Sequence, residues 1–357
     1  MQLQNSNYKI LSNIGSGSGH QVFRVQNNQT SRILALKIEK IPNLGQLEGE
    51  IQKLQELEGV KGIPQLIDFG KTKDSKSYII TPLLKRNLSE IAKESVPSLQ
   101  STLAIGLSVI EILEQVHKKG ILHLDIKPEN IMISQPQINA PVDQILRPGF
   151  IQLIDFGLSQ KFGHKTFLNK VFIGSLRYAS RQAHRGSQLG FKDDLESLLY
   201  VLVYLRNQKL PWQSLKQLQS QQLEIKKIGE MKEAVFNTAV LSQKFPPEFS
   251  QFKSYIETLT QQTMPDYDFI KNLFRSMLSV GDRTQSSNLA SSSQSLKETK
   301  QNKNSERILM FLSNMPNNDS IDIPEDQIDI ETSIVFISDL ITSYTTSSIK
   351  SINDIKY

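Results

Sequence analysis

Leu122-His123-Leu124-Asp125-Ile126-Lys127-Pro128-Glu129-Asn130 is the stretch on which the reading of this chain turns. It places a carboxylate, a cation two residues on and a carboxamide three residues beyond that in one short segment. A second segment follows at residues 153–159, LIDFGLS, with Asp155 at its centre. Together they offer what phosphoryl transfer from ATP requires. Asp125 can orient an acceptor hydroxyl, Lys127 can stand beside a moving phosphoryl group, and Asn130 and Asp155 can supply oxygen ligands to Mg2+.

So many fixed positions make the chain similar to the eukaryotic-type protein kinases. The resemblance implies an α+β, bilobal fold. A small, mainly β N-lobe is expected over about 8–84 and a larger, mainly α C-lobe over about 85–284. ATP and Mg2+ are the implied cofactors and protein substrates the implied partners. Residues 8–38 read as three strands with turns, the second turn near Asn27-Asn28 and the third strand apolar at Ile33, Ala35 and Leu36. Between the first two strands lie Gly15, Gly17, Gly19, His20 and Val22, and a glycine tip can bring backbone N–H groups close to phosphates. The family pattern matches Gly15, Gly17 and Val22, but its third glycine is His20 here, with Gly19 displaced by one residue.

Lys37, in LALK, resembles the family lysine that holds the α- and β-phosphates while paired with a helix glutamate. The partner helix is GQLEGEIQKLQELEG, apolar at Leu47, Ile51, Leu54 and Leu57. Family spacing favours Glu48 as the partner, with Glu50 the competitor. Gly49 weakens the helix by about 1 kcal/mol relative to alanine. Asp68-Phe69-Gly70 repeats the DFG triplet too early in the chain for catalysis and is read as the start of a hairpin turn. Aligned on the family, Thr81 lies deep in the nucleotide pocket and backbone groups around Leu83 meet the adenine. A long helix over residues 96–120 takes Pro97 in its first turn and stops at Gly120. His117 near its end reads as a packing or surface histidine. Residues 134–150 read as a surface turn with a small insertion.

The family's arginine before the catalytic aspartate is Leu124 here, and leucine cannot receive an activation-loop phosphate. Farther on, GSLRYAS (174–180) resembles the G-T-A-R-Y-A-S of the casein kinase 1 family, and FKDDLESL (191–198) its R-R-D-D-L-E-S-L. This resemblance covers about residues 8–280. It implies a serine/threonine kinase, possible preference for acidic or phosphorylated substrates through Arg177, and an Asp194 that caps the catalytic loop. The basic cluster that the family keeps nearby aligns with the uncharged Ser220–Leu223; Lys226 and Lys227 lie close. The alternative reading is an inactive pseudokinase acting as a scaffold, motivated by His20 and Leu124. Lys37, Asp125 and Asp155 are all retained, which argues for activity.

Composition bounds the rest. The chain has 357 residues, no cysteine, 38% hydrophobic residues and a formal charge of +5. A disulfide framework and a thiolate metal site are excluded, and mild basicity without a recognition motif gives no specific nucleic-acid partner. No uninterrupted apolar run reaches the ~18 residues of a membrane span, so an intracellular protein is expected; the family resemblance implies cytoplasm or nucleus, and a monomer is the expected state. From residue 285 the chain is Ser/Gln/Lys/Asn-rich, then acidic, and reads as a largely disordered tail with one short helix over Ser305–Met315. The tail is a candidate docking segment or autoinhibitory substrate mimic.

Overall fold

A computed structural model describes residues 7–17, 19–42, 46–134, 140–163, 172–214 and 220–288. The chain divides into two units, Met1–Leu278 and Ser279–Tyr357. The expectations for the tail beyond residue 288 lie outside the described residues.

The N-terminal part of the first unit is an antiparallel sheet in the order β1-β2-β3-β5-β4, built from β1 (Tyr8–Ser16), β2 (His20–Asn27), β3 (Ile33–Glu39), β4 (Asp68–Lys71) and β5 (Ser77–Pro82). Val25, Leu34, Leu36, Ile38, Tyr78 and Ile80 form one compact apolar cluster on this sheet. The buried stripe of β3 is therefore Leu34, Leu36 and Ile38, one residue out of phase with the expectation of Ile33 and Ala35. On the other face the apolar Ala35 lines a cleft, so apolar residues run on without alternating and the phase is hidden in sequence. The turn after β2 is held where expected: the Asn27 side chain accepts N–H bonds from Gln29 and Thr30, both 2.9 Å.

Helix α1 (Gln46–Glu56) packs on this sheet through Leu47, Ile51 and Leu54, with Leu57 just beyond its end. The buried carboxylate of Glu39 accepts from the backbone N–H of Leu47 (3.0 Å) and of Ser77 (3.2 Å). One side chain at the end of β3 thus satisfies an orphan donor of α1 and fixes it to β5. The early DFG triplet forms strand β4 rather than a turn; the turn comes after it, at residues 72–76.

The C-terminal part is helical. After β6 (Arg86–Asn87), α2 (Leu88–Glu94) begins with a reciprocal cap between Asn87 and Glu90. The central helix α3 (Leu99–Lys118) starts at Ser98, whose hydroxyl accepts from Ser101 N–H; Pro97 precedes the cap instead of entering the first turn. Gly120, at φ +67°, ends the segment as expected. By length and composition α3 could cross a membrane, but 72% of its apolar window is buried inside the protein. After it come β7 (Ile121–Leu122), β8 (Ile131–Ile133), α4 (Val142–Ile145), β9 (Ile151–Leu153), β10 (Gln160–Lys161), α5 (Arg181–His184), α6 (Phe191–Asn207), α7 (Gln221–Phe236) and α8 (Pro247–Thr258), and of these β7, α4, β9 and α6 pack against α3. Helix α9 (Tyr267–Asn288) follows. Strands β6-β8-β9 and β10-β7 make two small sheets. The 134–150 connection carries the short helix α4, and its residues 135–139 lie outside the described set. The bilobal α+β architecture is the one expected.

Candidate active site

Strand register builds one wall of a cleft. Gly15 pairs with Val22, Val22 with Lys37 and Lys37 with Ile79, so the four form one transverse row. Two residues back along β3, on the same face, Ala35 pairs with Thr81. Val22, Ala35, Lys37, Ile79 and Thr81 line a cleft of about 230 Å³, together with Leu83, Met132, Ile154 and Asp155 from below. The apolar residues suit a flat aromatic ring, and the charged end suits an anion.

At that charged end the Lys37 ammonium lies 2.7 Å from Glu50 and 2.9 Å from Asp155. Burial works against the ammonium, but the two carboxylates outweigh it and raise its pKa. Burial likewise opposes charge on Asp155, yet the Lys37 charge and hydrogen bond win and hold that carboxyl at about 2. Burial pushes Glu50 up, with Lys37 opposing. The expected partner Glu48 is not in this site. It is exposed and pairs with Lys71 at 2.9 Å. Helical phase is the reason: Glu50 sits three after Leu47 and four before Leu54, on the buried stripe, whereas Glu48 lies one residue, or about 100°, from Leu47.

The opposite wall is the loop between β7 and β8. Its bend puts Leu124 at φ +65°, left-handed backbone that leucine disfavours. The buried carboxylate of Asp194 in α6 holds it there, accepting from the N–H groups of His123 (2.8 Å) and Leu124 (2.7 Å) and bonding His117 Nε2 (2.9 Å). His117 is thus a buried packing residue, and its Nδ1 bonds the Tyr267 hydroxyl at 2.5 Å. His123 Nδ1 accepts from Asp125 N–H (3.3 Å), which leaves Nε2 to donate to the Ile154 carbonyl (3.1 Å). Its ring stands edge-on to buried Phe156. The loop and the DFG segment are locked to one another in this way.

From this platform the Asp125 carboxylate bonds Lys127 Nζ (2.6 Å), Ser175 Oγ (2.7 Å) and Asn130 Nδ2 (3.1 Å). Asn130 Nδ2 also donates to the Asp125 carbonyl (2.9 Å). Its amide oxygen, which takes no part in these two bonds, is a ligand of the kind a hard cation accepts. With the Asp155 carboxylate this makes two oxygen ligands, a set that fits Mg2+ completed by phosphates and water. No group of three or more His, Cys, Asp or Glu side chains placed to hold a metal ion occurs among the described residues.

A third segment closes the site. Gly174 has φ +103°, and a Cβ there would stand 2.8 Å from the Leu124 carbonyl, so only glycine lets residues 174–176 lie against the catalytic loop. Ser175, for which the sequence suggested no role, bridges Asp125 and Lys127 (Nζ to Oγ, 3.3 Å). Behind it the fully buried Lys232 of α7 donates to the carbonyls of Leu176 (3.0 Å) and Ala179 (2.6 Å) and to His184 Nε2 (3.0 Å), between the rings of Tyr200 and Trp212. Arg181 pairs with buried Glu196 and with Glu257, fastening the next turn to α6 and α8. Arg177 exposes its guanidinium beside the Tyr178 ring, and its carbonyl accepts from Trp212 Nε1 (2.8 Å). Lys226 is exposed, 4.0 Å from Glu230.

Of the residues singled out in sequence, Val22, Lys37, Thr81, Leu83 and Asp155 share the cleft, with Gly15 in their row and Gly17 at the hairpin tip. Asp125, Lys127 and Asn130 form one bonded cluster on the facing wall.

The family model described as "Protein kinase domain" matches residues 8–320. A relative in Dictyostelium discoideum, described as a probable serine/threonine-protein kinase, is 33% identical over 276 residues, which is 74% of this chain and 52% of the relative. The chain thus spans about half the length of the curated relative it matches.

Proposed function

The chain belongs to the protein kinase family, and from that premise we propose that it is an ATP-dependent kinase that phosphorylates serine and threonine hydroxyls of proteins. The observation that carries this is the pair of facing constellations: Lys37–Glu50–Asp155 on one wall and Asp125–Lys127–Asn130–Ser175 on the other. Lys37, aligned by Glu50, holds the α- and β-phosphates. Backbone groups around Leu83 take the adenine edge. Asp125 accepts a hydrogen bond from the acceptor hydroxyl and receives its proton as the new O–P bond forms and the bond from the γ-phosphorus to the leaving ADP oxygen breaks. Lys127 neutralises charge on the transferring group. Asn130 and Asp155 hold Mg2+, which supplies charge neutralisation at the phosphates.

A casein kinase 1-like subclass is supported by the segments RYAS and DDLESL, each of which has a physical task here. Ser180 caps α5 and donates to Asp193 (2.5 Å). Asp194 holds the catalytic loop, and Glu196 receives Arg181. Preference for acidic or phosphorylated substrates then rests on the exposed Arg177, with Lys226 and Lys227 on α7 as the nearby cations. The test is transfer from labelled ATP with Mg2+ to casein, followed by phosphoamino-acid analysis. Phosphoserine or phosphothreonine from the wild type and none from Asp155→Ala is the expected result. Silence of the wild type towards casein and towards acidic serine peptides would overturn the reading.

A further inference from the structure

We propose that His20 is a phosphate-contacting residue, whose imidazole hydrogen-bonds the nucleotide's phosphate groups from the tip of the β1–β2 hairpin. The inference rests on the nucleotide-binding reading above and adds to it a side chain at a position where the family pattern has glycine.

Three contacts fix the tip. Gly17 N–H donates to the His20 carbonyl (2.9 Å), Lys40 N–H to the Gly19 carbonyl (2.9 Å), and Lys40 Nζ to the Gly17 carbonyl (2.5 Å). The imidazole lies across Gly17. A Cβ on Gly17 would stand 3.0 Å from its Cε1 and Nε2, so the glycine makes room for this ring. The ring is half-buried and lines the same cleft as Lys37, Glu50 and Asp155. It lies within electrostatic reach of Lys37, Asp155, Lys40 and Lys127, and among the described residues no hydrogen bond engages either of its nitrogens. The groups around it are those assigned above to phosphates and metal, on both walls of the cleft.

Burial and the neighbouring cations lower the imidazole pKa, so near neutrality the ring is uncharged, with one N–H donor and one acceptor. An uncharged donor among cations seeks an anionic acceptor, and phosphate oxygens meet that need. A glycine cradle offers backbone N–H groups alone. Here a side-chain donor is added, which compensates for a loop whose glycine has moved by one residue.

The test compares MgATP with adenosine on the full chain, by calorimetry, for wild type, His20→Ala and His20→Gln. Adenosine reaches the apolar end of the cleft and carries no phosphate. His20→Ala is expected to raise the Kd for MgATP about tenfold, the worth of a hydrogen bond to a charged partner, and to leave adenosine unchanged. His20→Gln, which keeps a donor, recovers part of the loss. Equal loss for both ligands would assign His20 a folding role only, and unchanged MgATP binding with a raised KM for the protein acceptor would assign it to the other substrate. Either result overturns the proposal. A wild type that binds neither ligand overturns the nucleotide reading itself and this inference with it.

Discussion

Glu50 and Glu48 are two residues apart and differ entirely in consequence. Glu50 is 5% exposed and bonded to Lys37; Glu48 is 52% exposed and bonded to Lys71. Glu50→Gln is expected to lower kcat/KM on the order of a hundredfold by releasing Lys37 from its position, while Glu48→Gln leaves steady-state kinetics unchanged. The apolar stripe already held the correct answer, because Leu47, Ile51 and Leu54 define the phase on which Glu50 falls. Family spacing, used in its place, pointed to the exposed neighbour. Leu124 is a second single-residue case. Its side chain packs with Leu122, Ala179, Leu189 and Phe191, where an arginine would have met a phosphate. Kinase activity is therefore expected to survive treatment with a broad-specificity phosphatase. A loss of roughly tenfold or more in kcat would show that a phosphate belongs to the active form.

Helix α1 and the pair α5–α7 carry the next two expectations. Gly49 of α1 has no atom within 4 Å of where a Cβ would stand. Gly49→Ala is expected to stabilise the protein by about 1 kcal/mol, read from the urea midpoint at unchanged slope. At the α5–α7 contact a pH dependence of stability is expected. His184 donates from Nδ1 to the Ile225 carbonyl (2.8 Å) and faces Lys232 with Nε2. Burial, aided by the Lys232 charge, holds its pKa at about 4 against the ordinary 6.5. Between those values the unfolded chain carries the extra proton, so stability falls as pH drops from 6.5 towards 4. In His184→Gln that part of the slope disappears, and unfolding curves across this range measure it. Neither Lys232 nor His184 stood out in sequence. A lone lysine in a helix reads as solvated, and only the packing of α7 under residues 176–179 gives it acceptors. By contrast, the end of α3 was legible within two residues, because Gly120 acts locally; its start lies three residues later than expected, where Ser98 and not Pro97 sets the first turn.

Across the whole molecule, what sequence showed best was the chemistry that is contiguous in the chain. Asp125, Lys127 and Asn130 are within six positions, and Asp155 follows a strand. What it hid was whatever depends on two elements meeting: the phase of β3, the bridge of Ser175 to Asp125, and Glu39 between α1 and β5. Those meetings build the cleft, and the Lys37–Asp155 ion pair ties the sheet to the DFG segment across it. MgATP at about a hundred times its Kd is therefore expected to stabilise the fold by ~2.7 kcal/mol. A thermal midpoint that rises with MgATP concentration checks this, and Lys37→Met should abolish most of the rise.

The Glu39 anchor bears on how this cleft can be drugged. A ligand of the nucleotide site could in principle be shaped to wedge α1 outward and fill the gap it leaves. Here such a displacement would strip the Leu47 N–H from a carboxylate that is 1% exposed, leaving a charge in the interior with half its partners. The swung-out state is costly before any antagonist arrives, so compounds of that type should discriminate against this chain, and compounds shaped to the ready-made cleft should be favoured.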